Sequence, residues 1–527
     1  MPTRQLISTL WTPDIRRRLR TGRGNGPRLP AAQKTRMLTH LARPADAEAT
    51  SDEVAAWLET LPAHDPVATA RLLVEKLIVL NRAPGPARAR LPALDLLSER
   101  AHRVWPLLAS ELEGATQPLA PHGREIAHLL EKVLKELGAG YRAAVIETSR
   151  LWLAIGLKRQ MHAPIVAAIE LLTARLALCD RLHARAPRGA WLELHRLYRI
   201  ARELGLHERG LDLLSPAPET LYVRALLLAF AEPARLTPHE YQQLDRYVAE
   251  FGRLASIGPP RRRGDDRCAF VIDPHLDEPG IALAKRGPLR LAADHYCLLT
   301  RRLVEQVHVH IARLRSGATP ESLGLPAEAT SSSYLALLAR AGRAWHADRR
   351  RRGLRRAFRP RVMVFVGLRA AWDALAGVNV SDASDWTIIN ESADGFALQL
   401  ARATSEPIQV GEAALVYSPE RAAAYLCLVR RVRSNNPQHL EVALQQVLPV
   451  AHPARMLPKI AGEAPEPVFY CSAIEALDRH ARVIVTARRV TVRSALTLER
   501  GGTRIALHAR RFVERGNLFD IVEVEAA

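Results

Sequence analysis

"DWTIINESADGFALQL", residues 385–400, decides how the C-terminal part of this chain is read. "DWTIIN" (385–390) is rich in β-branched and aromatic residues, and "GFALQL" (395–400) places Phe396, Leu398 and Leu400 at the period of two expected of a strand. Between them Asn390, Glu391, Ser392, Ala393, Asp394 and Gly395 are polar or small and serve as a turn. The stretch is therefore a hairpin, and its neighbours repeat the pattern. "VMVFVGL" (362–368) precedes it, and "EAALVYS" (412–418), "AAYLCLVRRVR" (423–433) and "HLEVALQQVL" (439–448) follow, separated by "SEPIQVG", "SPERA" and "SNNPQ". Six short antiparallel strands within residues 349–450 predict a small closed barrel, because closure removes the exposed sheet edges.

Past the barrel, the proline-rich "HPARMLPKIAGEAPEP" (452–467) reads as a joint. Beyond it, "VFYCSAI", "RVIVTARRVTVR", "GTRIALHARRFVE" and "LFDIVEVE" predict a small β segment over 462–527, either a sheet of its own or one leaning on the barrel.

Upstream the period is 3.6 rather than 2. "ATARLLVEKLIVLNR" (68–82) places Ala70, Leu73, Val74, Leu77 and Leu80 on one face. "REIAHLLEKVLKELGAG" (124–140) repeats this and is expected to stop at Gly138. Helices also fit 164–184, 190–206 and 237–254, the last opened by Thr237, Pro238 and Glu240 as a capping box. Residues 46–260 thus predict an all-α domain, a bundle or a solenoid-like stack. Residues 261–348 predict a mixed linker, with the strand "CAFVI" and helices near 292–315 and 332–350. Residues 1–45, basic and rich in Gly and Pro, predict a disordered tail. The fold class is multidomain α+β.

No uninterrupted apolar run reaches the roughly 18–20 residues of a bilayer span, and the N-terminus lacks the pattern of a secretory signal. Five cysteines lie far apart without a CxxC pair, which argues against a disulfide framework or a structural zinc site. A cytoplasmic protein is expected. No GxSxG or HExxH motif is present, and no enzymatic role, metal or cofactor is expected. The net charge of +20 invites a polyanionic partner, and local arginine clusters are the place to look for its site.

The densest such cluster, "RRRRGLRRAFRPRV" (349–362), leads directly into the first barrel strand. It contains RxxxR in three frames, Arg351/Arg355, Arg352/Arg356 and Arg355/Arg359. The hairpin turn contributes Asn390, Ser392 and Gly395 in the spacing [D/N]xSxxG. An arginine-rich lead-in followed by this turn in a six-stranded barrel resembles the PilZ family of cyclic di-GMP receptors. "VGEAALVYS" and the last hairpin, "LVRRVRSNNPQHLEVALQQV", are similar to the family too. The sequence departs from the pattern in a longer link between the first two strands, "RAAWDALAGVNVSDASD" (369–385), and in Asn390 where aspartate is commoner.

The resemblance implies a cyclic di-GMP site of Arg355, Arg356, Arg359, Asn390, Ser392 and Gly395, with Arg355 and Arg359 as the main pair. The chemistry agrees. Guanidinium forks match phosphate oxygens and the guanine O6/N7 edge, an amide carbonyl accepts from a guanine N–H, and glycine lets backbone come close. The expected protein is a cytoplasmic bacterial receptor. Its barrel binds cyclic di-GMP, and the ordered lead-in changes the angle of the preceding helix, coupling binding to an unidentified protein partner. Two alternatives stay open at the level of sequence: a barrel in a scaffold protein without nucleotide binding, and a basic nucleic-acid binder.

Overall fold

A computed structural model describes residues 45–527 except 63, 150–159, 213–214, 260–265, 286–291, 347–359, 379–382, 393–394, 402–406, 435–439, 449–450, 459–462, 474–479 and 517. The expected tail, but for residue 45, therefore lies outside the described residues.

The helical region runs α1 (Ala45–Glu59), α2 (Pro66–Arg82), α3 (Leu91–Ser110), α4 (Pro121–Ser149), α5 (His162–Arg181), α6 (Ala190–Glu203), α7 (Pro218–Phe230) and α8 (Pro238–Phe251). The apolar stripe read on α2 is buried in full. The expected stop at Gly138 is not one: α4 continues through it to Ser149. Nearby Gly140 has a packing reason instead. A Cβ there would come within 2.8 Å of Asn81 and Leu94, so the absent side chain is what lets α4 lie close on α2 and α3. Among the described residues α5 alone is long and apolar enough to cross a bilayer. It packs against α4, α6 and α7 and is largely buried, so its apolar surface is used in the core. The capping box at Thr237 and Glu240 forms as read, each side chain accepting the other's backbone N–H.

The chain continues with β1 (Ser256–Gly258), β2 (Ala269–Ile272), β3 (Ile281–Ala282) and β4 (Tyr296–Leu299), an antiparallel sheet in the order β1-β4-β2-β3. Then come α9 (Arg301–Arg315) and α10 (Ser332–Trp345). The helix expected near 292 starts only at Arg301, because Tyr296–Leu299 is drawn into the sheet. This segment shares one continuous core with the helices: Phe270, Leu298, Val307 and Leu338 are buried in the same cluster as Leu77 and Ile169. Trp345, fully buried at the end of α10, donates its indole N–H to the Leu227 carbonyl of α7 at 2.9 Å.

Next are β5 (Arg361–Val366), α11 (Leu368–Leu375), β6 (Ser384–Ser392), β7 (Gly395–Leu400), β8 (Ala413–Ser418), β9 (Ala423–Ser434) and β10 (Leu440–Leu448). The six strands close into the expected barrel in the order β10-β7-β6-β5-β8-β9. Trp386, Ile388, Leu398, Val416, Val429 and Val442 fill its interior.

The terminal β segment is a second closed six-stranded barrel: β11 (His452–Met456), β12 (Glu466–Cys471), β13 (Ala481–Thr486), β14 (Ala495–Arg500), β15 (Thr503–Arg515) and β16 (Phe519–Ala526), in the order β11-β12-β13-β16-β15-β14. It takes one strand, β11, from within the proline-rich joint. Pro453 is tolerated there because β11 pairs along its length with β12, whereas only Arg455 and Met456 pair with β14. The run "RVIVTARRVTVR" is not one strand. Left-handed backbone at Arg488 and Arg493 turns the chain after Thr486.

The long link 369–385 supplies α11, which seats between the barrels. Trp372 donates its indole N–H to the Ala454 carbonyl at 2.8 Å and packs with Phe365, Leu415, Phe469, Ile484 and Ile521. The first barrel also docks on the helices. Gln117 and Ile408 exchange two backbone hydrogen bonds at 3.1 and 2.7 Å, and the Ser434 N–H reaches the His183 carbonyl at 2.9 Å.

Candidate ligand-binding site

The hairpin read from the sequence carries an irregularity. On β6 and β7, Ile388 pairs with Leu398 but Asn390 pairs with Ala397, so Ile389 is an extra residue in the ladder. Such a bulge twists a strand end and re-aims the side chains after it. Beyond the bulge, the Asn390 Oδ1 atom is buried and accepts no hydrogen bond among the described residues. Glu391 is engaged, taking both terminal nitrogens of Arg421 at 2.7 Å. Ser392 closes the turn by donating its hydroxyl to the Gly395 carbonyl at 3.3 Å. Gly395 is required by the barrel itself. With φ at +152°, a Cβ there would meet the Leu444 carbonyl oxygen at 2.1 Å, because β10 runs against the other edge of β7.

Asn390, Ser392 and Gly395 line a cleft of about 1140 Å³ where the helical region and both barrels meet. From the barrels come Arg430 and Arg431 of β9, Gln445 of β10 and Arg515 of β15. Arg430 spans three strands: its Nε donates to the Gln445 Oε1 at 2.8 Å, and its terminal nitrogens hold Glu514 of β15 at 2.5 and 2.6 Å. From the helical side come Arg235, just ahead of α8, Arg315 at the end of α9, and Arg340 and Arg343 of α10.

Arg340 pairs with Glu240, and Arg235 with Glu232 at 2.8 Å. Arg315 and Arg343 are exposed and meet no carboxylate within ion-pair distance among the described residues. Burial first, and then the positive charges of Arg430 and Arg340, pull the Arg235 pKa below its ordinary value. Guanidinium groups from two bodies thus face one another across the cleft. The lining carboxylates Glu240, Glu391 and Glu514 are each held by an arginine, so the balance of the walls is positive. Such an arrangement favours a multiply charged anion, which relieves the repulsion and offers acceptors to several forks at once.

Residues 52–261 match a family model described as "Cyclic-di-GMP receptor FimW, N-terminal domain". The match covers the helices α2 to α8 and β1, and with them the cleft residues Arg235 and Glu240. The chain is also similar to the cyclic-di-GMP receptor FimW of Pseudomonas aeruginosa, at 29% identity over 245 residues. That alignment spans 44% of this chain and 39% of the receptor.

Of the six site residues expected from the sequence, Asn390, Ser392 and Gly395 come together on the cleft wall. Arg355, Arg356 and Arg359 lie outside the described residues. Their flanks are fixed. Upstream, Trp345 is locked to α7. Downstream, the Pro360 carbonyl accepts from the Ile388 N–H at 3.0 Å, two residues from Asn390. Sequence reasoning missed Arg235, Arg340 and Arg343, which belong to no motif and are far from the turn along the chain. Arg430, Arg431 and Gln445 were visible within "LVRRVRSNNPQHLEVALQQV", read there only as the last hairpin of the barrel.

Proposed function

We propose that this chain is a cyclic di-GMP receptor of the PilZ type, with its nucleotide site in the cleft between the first barrel and the helices. The observation that carries the reading is the shared cleft: the [D/N]xSxxG residues Asn390, Ser392 and Gly395 line the same cavity as arginines from three directions. A cavity of about 1140 Å³ is ample for a dinucleotide, since ligand pockets commonly run about 300–1,000 Å³. The Asn390 oxygen, without a hydrogen-bond partner among the described residues, supplies an acceptor for a guanine N–H. The similarity of residues 52–261 to the N-terminal domain of a named cyclic-di-GMP receptor supports the same ligand.

In this reading Arg355, Arg356 and Arg359, tethered between Trp345 and Pro360, complete the site around the phosphates. The protein acts in the cytoplasm, and its helical region meets a protein partner in response to the nucleotide. With Trp345 anchored in the core, coupling runs through the walls of the cleft rather than through a swivel of α10 alone. The test is calorimetric titration of the full chain with cyclic di-GMP, beside Arg355→Ala and Ser392→Ala. Wild type is expected to bind at micromolar concentration or tighter, with each variant weakened about ten-fold or more. No heat from wild type at high micromolar ligand would end the proposal, and an excess of duplex DNA that abolished binding would turn it into a nucleic-acid site.

A further inference from the structure

The family resemblance places the ligand's contacts on the barrel and its lead-in, yet a substantial part of the cleft wall is helical. Ser332, Ala336, Ala339, Arg340 and Arg343 lie along α10, and Arg235 sits just ahead of the neighbouring α8. On an α-helix, residues three and four apart share a face, so 332, 336, 339, 340 and 343 form one stripe along α10. The stripe carries small residues at 332, 336 and 339 and ends in two arginines. Small side chains there keep the wall low, and the long arginine stems reach out from its end. Arg340 is steadied by Glu240 of α8, which is itself held in the capping box with Thr237. A guanidinium fixed in this way is pre-organised for a second acceptor.

The charge arrangement supports the same conclusion. Burial, and after it the nearby charges of Arg430 from the barrel and Arg340 from the helices, disfavour the charge of Arg235. Each of the three arginines is balanced by its own carboxylate, Glu232, Glu240 or Glu514. Arg343, at the free end of the stripe, has no carboxylate within ion-pair distance among the described residues, although it lines the cleft. An exposed guanidinium on the cleft wall beside two paired ones leaves positive charge facing the cleft, which fits a wall that meets an anion from outside the chain.

We infer that the helical wall is part of the nucleotide site: Arg343 and Arg340 of α10 contact the ligand's phosphates, so that the bound nucleotide bridges the helical region and the first barrel. This rests on the cyclic di-GMP reading above and extends it. The helices become a binding surface for the nucleotide, and occupancy of the cleft is communicated to them by direct contact.

The experiment is calorimetric titration of the full chain with cyclic di-GMP at two salt concentrations, for wild type, Arg343→Gln and Arg340→Gln, with the melting temperature of each unliganded protein. Arg343→Gln is expected to weaken binding about ten-fold or more and to flatten its salt dependence, with the unliganded melting temperature unchanged. Arg340→Gln is expected to weaken binding as well, with some loss of stability from the broken Glu240 pair. If wild type binds while both variants keep its affinity and salt slope, the helical wall is not part of the site and the barrel reading stands alone. If wild type gives no binding at all, both readings fall together.

Discussion

At the scale of single residues, the two most informative positions of the turn behave oppositely. Gly395 is constrained by its own fold: β7 is sandwiched between β6 and β10, and any side chain at 395 would run into the Leu444 carbonyl. Asn390 is held in the β6–β7 ladder through its backbone, but its buried side-chain oxygen accepts no hydrogen bond among the described residues. An unsatisfied buried acceptor costs about 1–3 kcal/mol, a cost that folding alone gives no reason to carry. The two substitutions should therefore separate stability from binding. Gly395→Ala should lower stability by about 2 kcal/mol or more through the forced shift of β7. Asn390→Ala should leave the unliganded melting temperature unchanged or raise it, while weakening cyclic di-GMP binding. Thermal melts with and without nucleotide check both, and a strongly destabilised Asn390→Ala would mean that its oxygen has a structural partner after all.

At the scale of elements, α11 is the piece that converts two barrels into one body. Its Trp372 fills the space between β5 and β8 of the first barrel and β12 of the second, hydrogen-bonds Ala454 of β11, and lies under the Arg455 guanidinium at 5.3 Å. Trp372→Ala removes the indole, its hydrogen bond and the cation–π contact together. The expected cost is about 3–5 kcal/mol, typical of a large aromatic lost from a core. Because each barrel has its own closed interior, the loss should appear as separation of the unfolding transitions of the two barrels. Calorimetry or chemical denaturation monitored by two probes would detect this, and a single unshifted transition would show that α11 is dispensable. The element was present in the sequence only as a link longer than its resemblance called for. Its apolar residues, Ala371 and Trp372 among them, could be read as helical, but nothing local says that they face a second barrel.

At the scale of the whole molecule, the cleft exists because three bodies are fixed against one another. The Gln117–Ile408 backbone pair and the Ser434–His183 hydrogen bond hold the first barrel on the helices, and the Arg430–Glu514 fork ties the barrels beside the cleft. A ligand that engages several of these walls should quieten them jointly. Hydrogen exchange is expected to slow on adding cyclic di-GMP in the β6–β7 turn, in β9 near Arg430 and in α10, and to stay unchanged in α1 to α3, which contribute no helical residue to the cleft. Protection confined to the barrel would argue against communication to the helices by direct contact.

The sequence by itself determined most of the strands and several of the helices, and it put the β6–β7 turn forward. Period-two runs fixed the six strands of the first barrel to within a few residues, since every second side chain of a strand must enter the interior of a closed barrel. The 3.6-residue stripes marked α2, α4, α5, α6 and α8 but left α1, α3 and α7 unread, and the resemblance carried by the turn and the arginine lead-in brought Asn390, Ser392 and Gly395 to notice. The tertiary structure decided what no window of sequence contains. Gly138 continues a helix because neighbouring helices stabilise it across a residue that locally favours a stop. Pro453 joins a strand because the ladder is open beside it on the β14 edge, where only Arg455 and Met456 pair. The second barrel closes because β11 and β14, unremarkable in isolation, complete its ladder. Above all, Arg235, Arg340 and Arg430 meet beside Asn390 from separate parts of the chain. Proximity of that kind arises from the burial of shared apolar cores, and it leaves no local signature in the polar residues it brings together.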